Sequence, residues 1–268
     1  MNRKASWFDY TYAWLIMGVL YAPLLAIALA SFSKKRYFSF PIKNFTADWY
    51  KKAAGSLTVS ELVTTSMLIA VCVMVIAVTV GFFAALAYAR YEWKGRRLFQ
   101  KLVLLPLFFP QTVLGLALLM WFNFLDITPS WKTAIIAHVA WISPITTLII
   151  AIQAYKLDHS LEEAAYDLGA SRIQVLGKVT LPLLVQAIFS AALFAFLLSW
   201  GNFALSLFTT GAAKMVSGYS PLIPAVGSLS IVAAIALVIG VFSVRAWHQR
   251  YLQSIEKYNA LVEAYTEL

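Results

Sequence analysis

The sequence predicts an all-α membrane protein with six transmembrane helices, and two observations carry that prediction. Of its 268 residues, 61% are hydrophobic and only 12% charged, and the mean hydropathy is +0.76, whereas a soluble domain is about one-quarter charged. The apolar residues also gather in six runs, each approaching or exceeding the roughly 20 residues that a helix needs to cross a hydrocarbon core. Six spans place both termini on one side. A net charge of +9 would suggest nucleic acid in a soluble protein, but here Lys and Arg sit between the apolar runs. Topology and anionic headgroups account for them there, and no nucleic-acid partner is expected.

Residues 1–13 carry Arg3, Lys4 and the aromatic set Trp7, Phe8, Tyr10 and Tyr12, the composition of an interfacial anchor. Residues 14–32 form the first span. Ala28-Leu29-Ala30 after a basic start mimics a signal-peptidase site, but the apolar run is too long for a signal peptide, so retention is expected. Residues 33–60 form a loop and 62–89 the second span. A short basic turn, 90–101, leads into the third span, 102–125, which contains Pro106, Pro110 and Gly115. The fourth, fifth and sixth spans are 133–155, 183–209 and 222–244. Residues 14–244 thus form one transmembrane domain, followed by a tail, 245–268. In that tail Trp247, Tyr251, Ile255, Tyr258 and Leu261-Val262 recur among charges at spacings of three to four. Such spacing suits an amphipathic helix at a membrane surface, and a frayed tail is equally compatible with it. The single Cys72 lies in an apolar run and reads as a small buried residue.

Between the fourth and fifth spans lies a polar interruption, 156–182, with its own helix grammar. Ser160 followed by Glu163 has the form of a capping box, predicting a helix from Leu161. Gly169 suits the left-handed position that ends it, and Ser171 with Gln174 repeats the box for a second short helix. Pro182 then falls near the first turn of the next run, where a missing N–H costs least.

Glu163-Ala164-Ala165, three residues, Gly169, nine residues and Val179-Thr180-Leu181-Pro182 resemble the EAA signature of the permease subunits of type I ABC importers. Val179 stands where the family usually has isoleucine, a volume-conserving change. The resemblance implies the type I importer permease fold in a bacterial inner membrane, with cytoplasmic termini. It implies that the loop couples to an ATPase through Glu163, Ala164, Ala165, Gly169, Leu181 and Pro182. It also implies a second permease subunit of similar but non-identical sequence, two ATP-binding subunits and an external substrate-binding protein. A polyamine, opine and phosphonate-type subgroup is suggested by the basic turn running into two prolines, and by Phe45 and Trp49-Tyr50 in the first external loop. If the EAA loop is cytoplasmic, thirteen of the 21 Lys and Arg residues lie inside, a bias in the expected direction. The exception is that external loop, with Lys34, Lys35, Arg36, Lys43, Lys51 and Lys52, which reads as a solvated face or a partner contact.

No phosphate cradle of the G-x-x-x-x-G-K-[ST] type occurs, since Gly177-Lys178 is followed by valine; ATP hydrolysis is expected on partner subunits, with no cofactor here. No catalytic constellation or metal-ligand spacing is seen, so no enzyme is expected. Within the six predicted spans the one ionisable group is His138, a packing histidine or a relay. Two function classes remain: the permease of an ATP-driven importer, or a secondary carrier or channel. Polyamine members of the family usually carry an acidic residue after the second proline and an acidic pair in the fifth span. This chain has Gln111 and Trp200-Gly201-Asn202-Phe203 there. A polycation at bilayer depth without counter-charges is heavily penalised, so a neutral, zwitterionic or anionic solute fits better, including an opine, phosphonate or sugar derivative. Candidates for the path are Gln111, His138, Trp141, Ser199, Trp200 and Asn202, any of which could instead be helix-packing glue.

Overall fold

The computed structural model describes residues 7–34, 42, 44–210 and 225–243. The helices are α1 (Trp7–Ser31), α2 (Asp48–Ala54), α3 (Leu57–Ala89), α4 (Arg96–Leu104), α5 (Gln111–Phe124), α6 (Trp131–Lys156), α7 (Ser160–Asp167), α8 (Arg172–Val175), α9 (Leu181–Trp200) and α10 (Phe203–Thr209). A further helix, α11, spans Ala225–Ser243. Five helical stretches among the described residues are long and apolar enough to cross a membrane, and a sixth is added if one bent pair counts as a single span. The all-α membrane architecture therefore stands.

The bent pair corrects the third span. Instead of one helix over 102–125, Arg96–Phe108 and Gln111–Phe124 meet at 102°. Pro106 opens the tight turn Leu105–Phe108, and Pro110 forces Phe109 into extended backbone (φ −91°, ψ 134°). Two missing N–H donors within five residues cannot be carried by one straight helix. The fifth span is also broken: α9 stops at Trp200, Gly201 ends it, and the Asn202 side chain accepts from the Leu205 amide to start α10. Other boundaries shift outward. α1 begins at Trp7, so the aromatic anchor is already helical, and the 33–60 loop contains α2. α3 begins at Leu57 and takes in Glu61, while α6 takes in Lys132 and Lys156 at its ends. The tail 245–268 and three of the six cations of the first external loop, Lys35, Arg36 and Lys43, lie outside the described residues.

The chain divides into two compact units, 60–216 and the remainder. In the first, α6 lies between α3 and α9. Phe82, Ala85, Leu86, Tyr88 and Ala89 of α3 meet Ile150, Ala151 and Ala154 of α6 and Leu184 and Ala191 of α9 in one cluster. A second cluster joins Ile69, Val73 and Ala77 to Ala134, Ile142 and Ala195. The faces in contact are ladders of small residues at four-residue intervals, Ala77, Gly81, Ala85 and Ala89 on α3 and Ala187, Ala191, Ala195 and Ser199 on α9, all buried. Small residues let membrane helices approach until backbone and side-chain dispersion contacts hold them, since lipid offers no hydrophobic drive between helices. At the closest point Thr146 donates from Oγ1 to the Ala77 carbonyl at 2.7 Å. In the other unit, the loop after α1 folds back on it: the Trp49 indole N–H donates to the Ser33 carbonyl at 2.8 Å, and the Tyr50 hydroxyl lies 2.6 Å from Ser31 Oγ.

Candidate functional site

The polar stretch between α6 and α9 forms helix, turn, helix. Its first start signal differs from the expected box. Asp158 accepts from the Ser160 amide at 3.0 Å, and Ser160 is itself the first residue of α7. A carboxylate two residues upstream reaches the free amides before the serine hydroxyl can, so the Ser160–Glu163 box does not form. The backbone bond from Ser160, followed by its side-chain bond, holds the Asp158 carboxyl below the usual carboxylate range. The end signal is as expected. Gly169 adopts φ +81°, its amide donates to the Tyr166 carbonyl at 2.8 Å, and the Ala170 amide donates to the Ala165 carbonyl at 3.0 Å, the paired bonds of a left-handed helix stop. The second box also forms: the Ser171 amide donates to Gln174 Oε1 at 2.8 Å, and the Gln174 amide to Ser171 Oγ at 3.4 Å. A π turn, Leu176–Thr180, then joins α8 to α9. Its wider pitch lies just ahead of Pro182, whose ring would otherwise crowd the carbonyl four residues back.

The two glutamates of α7 part company. Glu162 and Ala165, three residues apart, face the body of the protein, while Glu163 and Ala164 are exposed. Glu162 pairs with Arg90 at 2.8 Å between Oε2 and Nη2, with side-chain exposures of 18% and 4%. That approach is coulombic and not a well-aligned hydrogen bond. The second Glu162 oxygen accepts from Thr180 Oγ1 at 2.7 Å, and Arg90 Nη1 donates to the Leu157 carbonyl at 2.9 Å. Removing one partner of so buried a pair costs about 3–5 kcal/mol. Around the Gly169 turn, Leu168 and Ile173 are 89% and 83% exposed. Leu181 and Pro182 are exposed on the first turn of α9, and the contact back to α7 is made by Thr180. Arg90, Glu162, Leu168 and Ile173 were not singled out by the sequence, and Thr180 was quoted only as part of the signature. The signal for Glu162 was its i, i+3 register with Ala165, but its arginine lies far away in the chain.

Of the six path candidates, three come together. His138, on α6, shares hydrogen bonds with Ser199 Oγ on α9 (2.9 Å) and Ser206 Oγ on α10 (3.1 Å). The Asn202 amide donates to the Ser199 carbonyl at 3.2 Å. Asn202 Nδ2 is buried and has no hydrogen-bond partner among the described residues. The other three make separate contacts. Gln111 is half-buried at the start of α5, Trp141 packs against the second core cluster, and Trp200 stacks on Phe196 at 6.0 Å. No group of three or more potential metal ligands occurs among the described residues.

Residues 77–257 match the family described as "Binding-protein-dependent transport system inner membrane component". The chain is 28% identical to the spermidine/putrescine transport system permease protein PotC of Haemophilus influenzae, over 85% of this chain and 92% of that one. It is 31% identical to the putrescine transport system permease protein PotI of Escherichia coli, over 74% and 73%. In fold it is similar to a chain in the crystal structure of a bacterial ABC transporter that imports the acidic polysaccharide alginate. The TM-score is 0.61 at 14% identity, over 87% of this chain and 95% of that one.

Proposed function

Because the chain belongs to the family of inner-membrane components of binding-protein-dependent transport systems, we propose that it forms the translocation path of an ATP-driven importer together with a second, similar permease subunit. It is an integral inner-membrane permease, and its relatives are transport proteins. ATP is bound and hydrolysed by two partner subunits, and a binding protein delivers the solute from outside. The 160–182 loop is the element that docks on an ATPase. One observation carries this reading: Glu163, Leu168 and Ile173 stand exposed around a left-handed glycine, on two helices fixed by their own caps. An apolar tip rimmed by charge, held rigidly, suits a cleft on a protein partner. Leu181 and Pro182 contribute by holding the start of α9 in register behind that tip.

The path is lined by His138, Ser199 and Asn202, with Gln111, Trp141 and Trp200 contributing amide and aromatic faces. The named relatives carry polyamines. Here, however, the buried polar groups of α6, α9, α10 and the Asn202 cap between the last two are hydroxyls, one amide and one imidazole, with no carboxylate among them, which favours a neutral, zwitterionic or anionic solute.

Uptake into proteoliposomes by the complex assembled with its own ATPases and binding protein tests both statements. Gly169→Val, which places a branched side chain at φ +81°, is expected to abolish uptake while leaving membrane insertion intact. Normal uptake by this variant would remove the loop from coupling. Saturable transport of putrescine or spermidine would overturn the solute class.

A further inference from the structure

The Arg90–Glu162 pair sits where four helices end. Arg90 follows the last residue of α3, Leu157 caps α6, Glu162 belongs to α7 and Thr180 precedes α9. One buried guanidinium and one nearly buried carboxylate therefore tie the short helix α7 to the ends of all three helices of the core. The surroundings reinforce the same corner: the Tyr155 hydroxyl and Arg96 Nε both donate to the Tyr88 carbonyl, at 3.1 and 2.7 Å. A surface loop does not need such a device, because the capping bonds already hold α7 and α8 in shape. A buried ion pair adds little net stability compared with apolar packing, and its best-attested use is to fix one geometry among several.

We propose that Arg90, Glu162 and Thr180 form a positioning latch that makes α7 move as one body with α3, α6 and α9. The proposal rests on the reading of 160–182 as the ATPase-docking loop. A push received at Leu168 and Ile173 enters the transmembrane core through this latch. With the latch broken, α7 follows the ATPase while the core helices lag. ATP is then hydrolysed without import.

The test is the number of solute molecules imported per ATP hydrolysed by the reconstituted full complex, with uptake and hydrolysis measured on the same vesicles. Arg90→Gln and Glu162→Gln are each expected to lower this ratio about tenfold, and the double variant to lower it no further than either single one. Thr180→Val, nearly isosteric, keeps the ion pair and loses one hydrogen bond, so a smaller fall in the same direction is expected. An unchanged ratio in assembled Arg90→Gln and Glu162→Gln complexes overturns the latch; if those two fail to assemble, an unchanged ratio in Thr180→Val overturns it. Gly169→Val, run in parallel, separates the two claims. Lost uptake there with intact ratios in the latch variants sinks the latch alone, whereas normal uptake there sinks the docking reading beneath it.

Discussion

Asn202 does two things with one side chain. Its Oδ1 accepts from the Leu205 amide at 3.1 Å, starting α10, and its Nδ2 points into buried space without a partner among the described residues. An unpaired buried donor costs about 1–3 kcal/mol, so a protein keeps one where something else supplies the acceptor. Asn202→Ser keeps a capping oxygen and withdraws the Nδ2 donor without introducing a buried charge. The expected result is a three- to tenfold rise in KM for the solute, with complex yield unchanged; an unaltered KM would reduce Asn202 to a helix cap. The sequence showed at this scale which residue types stood where carboxylates were expected. It did not show that His138 would be saturated by Ser199 and Ser206, because those partners lie more than sixty positions away. Nor did it separate Glu162 from Glu163. Adjacent residues on a helix differ by about 100° in direction, and which one turns inward depends on an arginine contributed by the end of another helix.

The crossing of α3 and α6 is set by Gly81. A Cβ there would lie 2.9 Å from both Thr146 Cβ and the Thr147 amide nitrogen, while one at Gly227 in α11 would meet nothing within 4 Å. Alanine is intrinsically better than glycine in a helix by about 1 kcal/mol, so packing alone decides the sign at each site. Gly81→Ala is expected to destabilise the detergent-solubilised complex by about 1–3 kcal/mol. Gly227→Ala is expected to leave its thermal midpoint unchanged or higher. Equal midpoints for Gly81→Ala and wild type would contradict the close crossing. The ladder Ala77, Gly81, Ala85, Ala89 was written in the sequence at a period of four, yet hydropathy hides it, since alanine and glycine count as ordinary members of an apolar run. The broken third span was legible in another form. Pro106 and Pro110 were noted, but a run of apolar residues reads the same whether straight or bent by 102°.

For the whole molecule, hydropathy was enough to give the all-α membrane class, whereas the family came from the resemblance of Glu163-Ala164-Ala165, Gly169 and Leu181-Pro182 to the EAA signature. Turn chemistry is local, so Gly169 and the Ser171–Gln174 box were legible, while the Ser160–Glu163 box lost to Asp158. Boundaries at the two ends of each span were less legible: a bilayer span defines the minimum apolar length, and helices run past it wherever caps permit. The solute was least legible of all, since contacts such as His138 to Ser199 and Ser206 join residues distant in the chain. A permease driven by ATP on partner subunits is distinguished from a gradient-driven carrier by vesicle energetics. Proteoliposomes holding the full complex with its binding protein are loaded with ATP, and the proton and sodium gradients are collapsed with ionophores. Uptake is expected to continue under those conditions and to stop when ATP is omitted. Uptake that persists without ATP, or that disappears with the gradients while ATP is present, would contradict drive by ATP.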